Sequence, residues 1–459
     1  MSIEPIGVVT ILAGLICLQI GYLTTIQMLV VATLFGSAAA VLIGLANIQP
    51  AHLFLAFAAA STLSRRRELN TAIGALRFPE AGFWLLCLLI YGLITGVAMP
   101  RLFAGMTEII PLGTSEYAPT GSTVPLGPVS SNYTQAIYLT GDFVCFALAV
   151  AVASTPSGFS AIANALLVYA AGNLLFALLD LVTYAAGESW ILSFMRNAQY
   201  TIHAREEVSG LKRIVGSFTE AAAFARSTLG VLGFTGTLWL CGWRPTLTGS
   251  LAATSLVLLV LSTSSTGLAG APLVLAILYG TLTRRGFHPT RPIGSTILLC
   301  APLIAVAAVI VAQVSSEATE PIRAYINDLI FDKSITSSGI ERSIWNTVAL
   351  QNFYDSYGLG VGLGTVRTSS FPMALLSNVG VPGLMFYMLF AISAFAVPRG
   401  VPDSFPADVR LAARNACLGL IIGDTFSGTT VEQGLLFYVL AGLACAVPEL
   451  YRADAPAPD

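Results

Sequence analysis

Charged residues are scarce in this sequence. Lysine, arginine, aspartate and glutamate make up 10% of the 459 residues, whereas soluble domains carry about 25%. Hydrophobic residues reach 55% and the mean hydropathy is +0.79, so the chain has more apolar surface than a soluble globule can bury. The formal net charge is −2 and no basic stripe stands out, so we expect no nucleic-acid partner.

Motifs for metal binding and redox chemistry are also missing. No CxxC pair and no histidine and cysteine cluster with ligand spacing occurs, so we expect no metal and no cofactor. The cysteines all fall inside apolar blocks, where each is expected to be a small packing residue. They are Cys17, Cys87, Cys145, Cys241, Cys300, Cys417 and Cys445. The first apolar block lacks a basic leader and a cleavage site, which predicts a retained first helix.

Long apolar blocks are what the sequence has in quantity. About 20 apolar residues let a helix cross a hydrocarbon core of about 30 Å. Because a backbone in lipid must satisfy its own hydrogen bonds, the blocks predict an all-α, polytopic transmembrane bundle of about 12–13 helices, with residues 1–459 as one membrane domain. The predicted spans are 6–23, 26–46, 48–63, 79–99, 135–153, 158–186, 216–241, 247–263, 266–282, 293–314, 371–397, 411–428 and 432–448.

Short arginine-rich connections predict the topology, since such loops stay in the cytoplasm. The cytoplasmic connections are 64–78, 283–292, 398–410 and the tail after 449. The outside connections are 100–134, 187–215 and 315–370. The side of Met1 stays open, because a re-entrant second or third segment would reverse it.

Two outside connections differ in character. Segment 100–134 is rich in glycine, proline, serine and threonine, which predicts an irregular, mobile surface cover. Segment 315–370 is predicted to be an external subdomain with two short amphipathic helices. The first opens at Pro321 and carries Arg323, and the second begins at the capping-box pattern from Ser338 to Glu341.

A glycine run, Gly358-Leu-Gly360-Val-Gly362-Leu-Gly364, follows the second amphipathic helix. It lacks the preceding strand of a dinucleotide-binding site. The run therefore predicts a tightly turning backbone, with exposed N–H groups as a candidate anion nest beside Arg367.

Acidic residues concentrate in the predicted outer half of the bundle. They are Asp142, Asp180, Glu220, Asp424 and Glu432. Because a charge in the membrane costs several kcal/mol, we expect these side chains to line a polar cavity, the alternative being that each pairs locally or reaches the interface. Arg213 lies seven residues before Glu220, so both share a face if the helix begins early enough.

Three segments together resemble the O-antigen ligase and polymerase superfamily. They are Arg342-Ser-Ile-Trp345-Asn, the glycine run, and Leu375-Leu-Ser-Asn378-Val-Gly380-Val-Pro-Gly383. Gly216-Ser-Phe-Thr-Glu220 and Leu261-Ser-Thr-Ser-Ser-Thr-Gly267 are similar to the central helices of the same family. The resemblance covers residues 200–395.

The resemblance implies a metal-independent glycosyltransferase of GT-C type in the bacterial inner membrane, with its active site facing the periplasm. Donor and acceptor would be oligosaccharides linked to polyprenyl pyrophosphate, and a chain-length regulator or export machinery would be a further partner. Arginine binds phosphate in bidentate fashion, and the implied pyrophosphate-binding residues are Arg213, Arg323, Arg342 and Arg367. The candidates for the catalytic base are Glu220, His203 and Glu341, with the alternative that His203 is only a surface residue.

One departure from the family pattern bears on the reaction. Ligases of this family usually carry a His–Asn pair after the glycine run, where this chain has Thr368, Ser369 and Ser370. The departure favours polymerisation of lipid-linked repeat units into a surface polysaccharide. Ligase-type transfer to another acceptor and a lipid-linked-sugar transporter or flippase are the alternative hypotheses.

Overall fold

Helices dominate the computed structural model, which describes residues 2–44, 46–199, 201–208, 210–285 and 336–450, with isolated positions at 296, 300 and 327. The helices of these residues are α1 Pro5–Ile20, α2 Tyr22–Ala32, α3 Pro50–Leu63, α4 Arg66–Gly74, α5 Ala81–Leu102, α6 Ser131–Ala153, α7 Pro156–Ala185, α8 Ala221–Leu240, α9 Pro245–Leu261, α10 Ser265–Arg285, α11 Ser337–Asp355, α12 Phe371–Phe395, α13 Phe405–Ser427 and α14 Leu435–Cys445. A 3-10 helix spans Ser189–Met195. The short strands are β1 Ser2–Ile3, β2 Val41–Ile43, β3 Ala46–Ile48, β4 Glu108–Ile109, β5 Val124–Pro125, β6 Glu207–Val208 and β7 Leu211–Lys212.

Length and composition make the chain a polytopic helical membrane protein, which confirms the predicted all-α class. Within the described ranges, five helices are long and apolar enough to cross a bilayer: α5, α6, α7, α10 and α12. Shorter apolar helices accompany them, namely α1, α2, α3, α9 and α14. Large apolar side chains are exposed along α1 (Val9, Leu12 and Ile16), as expected where lipid rather than water is the solvent.

The predicted span 26–46 is wrong beyond Ala32, where α2 ends. The chain then turns and forms β2, which pairs antiparallel with β1 and β3. Hydropathy alone cannot separate an apolar strand from an apolar helix, which explains the error. In the predicted cytoplasmic loop 64–78 the structure adds the short helix α4. The predicted span 293–314 and the amphipathic helix opening at Pro321 lie outside the described residues.

The connections gather at the two ends of the bundle. At one end, residues 33–49, 103–130, 187–220, 356–370 and 428–434 form what we call the loop layer. Its parts are joined by the N–H of Ser37 donating to the carbonyl of Ser217 at 3.1 Å, and by the N–H of Leu112 donating to the carbonyl of Thr365 at 3.1 Å.

The opposite end carries arginine-rich connections. Arg399 lies 3.5 Å from Glu80, and Arg410 pairs with Glu449 at 2.8 Å. Helix α5 runs from Ala81, beside the first of these pairs, to Leu102 at the loop layer. The predicted inside and outside connections among the described residues therefore separate to opposite ends. Ser2 and Ile3 pair with β2, so the described N-terminal residues lie in the loop layer.

Segment 103–130 is not the mobile cover expected from its composition. Ile109, Val124 and Leu126 are buried against Ala349 of α11 and Val366. The Asn352 side chain also donates to the carbonyl of Glu108 at 2.8 Å. The packing partners come from residues more than 200 positions away, so local composition could not reveal them.

The glycine run packs against the bundle and does not form an anion nest. Gly358, Gly360, Gly362 and Gly364 all have positive φ. The N–H groups of Val361 and Gly362 donate to the carbonyls of Ser377 and Asn378, at 2.8 and 2.9 Å. These donors are therefore occupied by α12 and unavailable to an anion.

The glycine run also supplies a hydrogen-bond acceptor to helix α12. It breaks at Gly380, where φ is +61° and ψ is −164°. The N–H of Val381 donates to the carbonyl of Gly358 at 2.8 Å, which satisfies a backbone group released by the break. Irregular backbone at membrane depth is tolerated where protein groups supply the missing hydrogen bonds.

Replacing Gly360 with alanine should destabilise the protein. A Cβ there would lie 2.7 Å from the Asn378 carbonyl oxygen, at a φ of +81° that side chains rarely adopt. Gly280→Ala is the matched control, because its Cβ would meet open space within α10. In detergent, Gly360→Ala should lower the melting temperature, whereas Gly280→Ala should be neutral or gain about 0.5–1 kcal/mol. Equal melting temperatures would contradict the packing role of the run.

Cysteine labelling should separate the two ends. In a background without the native cysteines, a membrane-impermeant reagent should reach cysteines at Ser2 and Ser337 from one side. It should reach a cysteine at Ser64 only from the other side, because all three positions are exposed and Ser64 lies at the arginine-rich end. Labelling of Ser64 and Ser337 from the same side would contradict this arrangement.

Candidate functional site

The Asp180 carboxylate organises the loop that leads to the candidate site. It is 2% exposed, and it accepts hydrogen bonds from the backbone N–H groups of Val215 and Gly216 at 2.9 and 3.1 Å. Arg196 and Lys212 pair with it at 2.7 and 3.3 Å. Burial lowers the pKa of the Lys212 ammonium, and Asp180 acts in the opposite direction. Asp180 therefore fixes residues 213–216 and does not line the cavity described below.

Helix α8 begins at Ala221, after Glu220 in extended conformation. The helix does not begin early enough for Arg213 and Glu220 to share a helical face, because Asp180 holds the intervening residues in a turn with Gly216 at a φ of +59°. Arg213 instead pairs with Glu206 at 2.7 Å. The turn directs Glu220 towards the interior of the bundle and leaves Arg213 on the β6–β7 hairpin.

A cavity of about 320 Å³ lies beneath the loop layer. Three of the predicted acidic residues line it: Glu220, Asp424 and Glu432. Arg226 supplies a positive charge, and uncharged polar side chains include those of Gln49, His52, Tyr138 and Tyr169. The cavity therefore has a charged wall from α8, α13 and the loop after α13, and an uncharged wall from the α3 and α6 side.

The Arg226 guanidinium is fixed in the cavity by several hydrogen bonds. It forms a bidentate pair with the Asp424 carboxylate, in which one N–O distance is 2.8 Å, and it donates to the Gln433 carbonyl at 2.7 Å. The Gln433 side chain donates to Asp424 at 3.1 Å and accepts from the Tyr387 hydroxyl at 2.7 Å. Sequence reasoning did not select Arg226. The available signal was an arginine inside an apolar span, with an acidic residue in a later span as its partner.

Two further arginines lie near the cavity without lining it, Arg367 in the loop layer and Arg342 on α11. Arg342 of α11 lies 3.7 Å from the Glu220 carboxylate, with 23% of its side chain exposed. The exposed guanidinium of Arg367 stacks 5.0 Å above the ring of Trp345, which is also on α11. The structure thus brings together Glu220 and Arg342, two residues more than 100 positions apart. Helix α11 begins earlier than its capping-box pattern predicts, because Thr336 accepts from the Gly339 N–H at 3.2 Å.

The other candidates lie elsewhere. The His203 ring bonds to Glu206 on the β6–β7 side of the loop layer, and its backbone N–H donates to the Thr219 carbonyl at 2.9 Å. Glu341 is exposed on α11. Neither side chain lines the cavity. Arg323 lies outside the described residues.

Asp142 is more deeply buried than its predicted position near a helix end implies. It lies midway along α6 and is 1% exposed. Its carboxyl group faces the backbone of Gly434, but its Oδ2 atom has no hydrogen-bond partner in the part of the chain described. It does not line the cavity.

Comparison with known proteins does not assign the chain to a family. No protein-family model matches the chain, and no curated protein matches it significantly. Within the described ranges, no group of three or more histidine, cysteine, aspartate or glutamate side chains is placed to hold a metal ion.

Breaking the Arg226–Asp424 pair from either side should destabilise the fold. Each of Arg226→Met and Asp424→Leu leaves one largely buried charge without its partner, which costs about 3–5 kcal/mol. The double variant should be more stable than either single variant, because both charges are gone. Chemical unfolding in detergent gives the three free energies. Additive losses would contradict direct coupling of the two side chains.

Proposed function

We propose that the protein is a membrane glycosyltransferase that polymerises polyprenyl-pyrophosphate-linked oligosaccharide repeat units. The observation that carries the proposal is the cavity beneath the loop layer, whose lining residue Glu220 lies 3.7 Å from the Arg342 guanidinium. Its volume of about 320 Å³ falls within the range of small-molecule sites, about 300–1,000 Å³. The cavity can hold a sugar, while a pyrophosphate remains near the loop layer.

The positive-inside rule supports the orientation of the site. Arginines such as Arg399 and Arg410 occupy the end opposite the loop layer, and short arginine-rich connections remain in the cytoplasm. The loop layer would then face the periplasm from a bacterial inner membrane. Lipid-linked oligosaccharides would reach the cavity from that side.

Arg342 is the best-placed residue for the pyrophosphate. Charge-assisted hydrogen bonds measure about 2.7–2.9 Å, whereas the Arg342–Glu220 distance is 3.7 Å. The loose pair leaves guanidinium donors for phosphate oxygens. Arg367 lies on the same side, with its guanidinium held by Trp345. Arg213 is less suitable, because Glu206 already holds it at 2.7 Å.

The reaction proposed is a displacement at the anomeric carbon of the donor sugar. A bond forms from the acceptor hydroxyl oxygen to that carbon as the bond to pyrophosphate breaks, polyprenyl pyrophosphate leaves with the electron pair, and the hydroxyl proton passes to a base. Arginines fixed before the reaction stabilise the charge that develops on the leaving group. Glu220 lies 3.7 Å from the Arg342 guanidinium before the substrate binds.

Removing the Arg342 guanidinium should reduce polymer formation without loss of the protein. Arg342→Ala should lower polymer output about 100-fold, which is the scale for losing one donor to a developing charge. Arg342→Lys should retain part of the activity, because it keeps the charge but not the planar fork. Arg77→Ala is the control, since Arg77 is an exposed arginine at the opposite end.

Polymer output is measured by gel electrophoresis and normalised to the amount of protein in the membrane. Normal output from Arg342→Ala would contradict the pyrophosphate site. A fall in Arg77→Ala equal to that in Arg342→Ala would show that any loss of charge has the same effect.

A further inference from the structure

The uncharged wall of the cavity contains a histidine that the fold does not explain. His52 lies in the first turn of α3 and lines the cavity. Its ring packs against Tyr138 with 5.1 Å between ring centroids. The Tyr138 hydroxyl donates to the Asn47 carbonyl at 2.8 Å, so the ring beneath His52 is itself held in place.

His52 makes no polar contact that would account for it structurally. Its Nδ1 atom is buried and has no hydrogen-bond partner among the described residues. His203 differs, because the Glu206 carboxylate holds its ring. Buried polar atoms in folded proteins nearly always have a partner. Because the fold gives the His52 ring no hydrogen bond and the residue lines the cavity, the imidazole is available to a ligand there.

Each carboxylate of the cavity has a charged or polar neighbour. Glu220 lies 3.7 Å from the Arg342 guanidinium, and Asp424 is held by Arg226. Glu432 lies beside the backbone N–H of Gly434 and the Thr430 hydroxyl, both of which can donate to it. His52 alone among these groups combines a basic atom with freedom from a competing partner within the described residues.

We propose that His52 accepts the proton of the attacking hydroxyl, an inference that rests on the proposed function. A neutral imidazole has a nitrogen lone pair that can accept a proton, and histidine is the side chain most often used as a general base. As the acceptor oxygen bonds to the anomeric carbon, its proton moves to the imidazole nitrogen facing the cavity. The resulting imidazolium loses that proton to water after polyprenyl pyrophosphate leaves.

The uncharged wall would therefore bind the acceptor sugar. Tyr138 and Gln49 flank His52 and offer an aromatic ring and an amide, groups suited to a neutral saccharide. The donor's negative charge would be held at Arg342, on α11. The titratable and charged groups that share the cavity with His52 are Tyr138, Tyr169, Glu220, Arg226, Asp424 and Glu432.

The test compares His52→Gln with His203→Gln in purified protein. The probe is lipid-linked oligosaccharide extracted from cells that lack this gene. His52→Gln should lower kcat about 100-fold with little change in KM, whereas His203→Gln should remain within twofold of wild type. The melting temperature should change little in His52→Gln, because the ring holds no structural hydrogen bond and only its packing on Tyr138 is lost.

The pH profile separates catalysis from packing. The wild-type rate should fall as the pH drops through the range in which an imidazole becomes protonated, and the residual His52→Gln rate should lose that dependence. If His52→Gln is unstable, His52→Ala with added imidazole replaces it, and imidazole should restore turnover. A His52→Gln rate near wild type, an unchanged pH profile, or no restoration by imidazole would overturn the proposal for His52. An inactive wild-type protein would instead overturn the proposed function.

Discussion

The ion pair between Arg226 and Asp424 is the interaction on which the interior of this membrane protein depends. It joins α8 to α13, and through Gln433 it also holds the loop that follows α13. A charged side chain at this depth is costly without a partner, so each residue requires the other. The pair therefore fixes one wall of the cavity, and the Asp180 cluster fixes the approach of Glu220 to the same space.

Composition and the spacing of apolar blocks were enough to predict an all-α membrane protein, because those features reflect the solvent around it. They also predicted that Glu220, Asp424 and Glu432 lie at a similar depth in the membrane. The structure brings all three side chains to one cavity. The same argument did not distinguish Asp180, whose partners are backbone N–H groups of a distant loop. Arg226 and His52 were missed because a single apolar segment does not reveal which face it turns towards its neighbours.

The two walls of the cavity give the proposed reaction a physical basis. Arg342 and Arg367 lie where a pyrophosphate could remain near the membrane surface, whereas the wall around His52 carries no formal charge. The donor's pyrophosphate and the acceptor sugar that carries the attacking hydroxyl would thus bind at different places. The glycine run also packs against α11, because Val361 and Ala349 belong to one buried apolar cluster, so the helix that carries Arg342 is anchored to the bundle.

The most direct test reconstitutes the wild-type protein in liposomes with lipid-linked oligosaccharide extracted from cells that lack this gene. The protein is orientated with its loop layer outward, and the substrate is supplied on that side. The proposed function predicts a ladder of longer lipid-linked chains. These chains should form without movement of the substrate across the bilayer. Transfer of unaltered oligosaccharide to the inner leaflet, with no ladder, would contradict it.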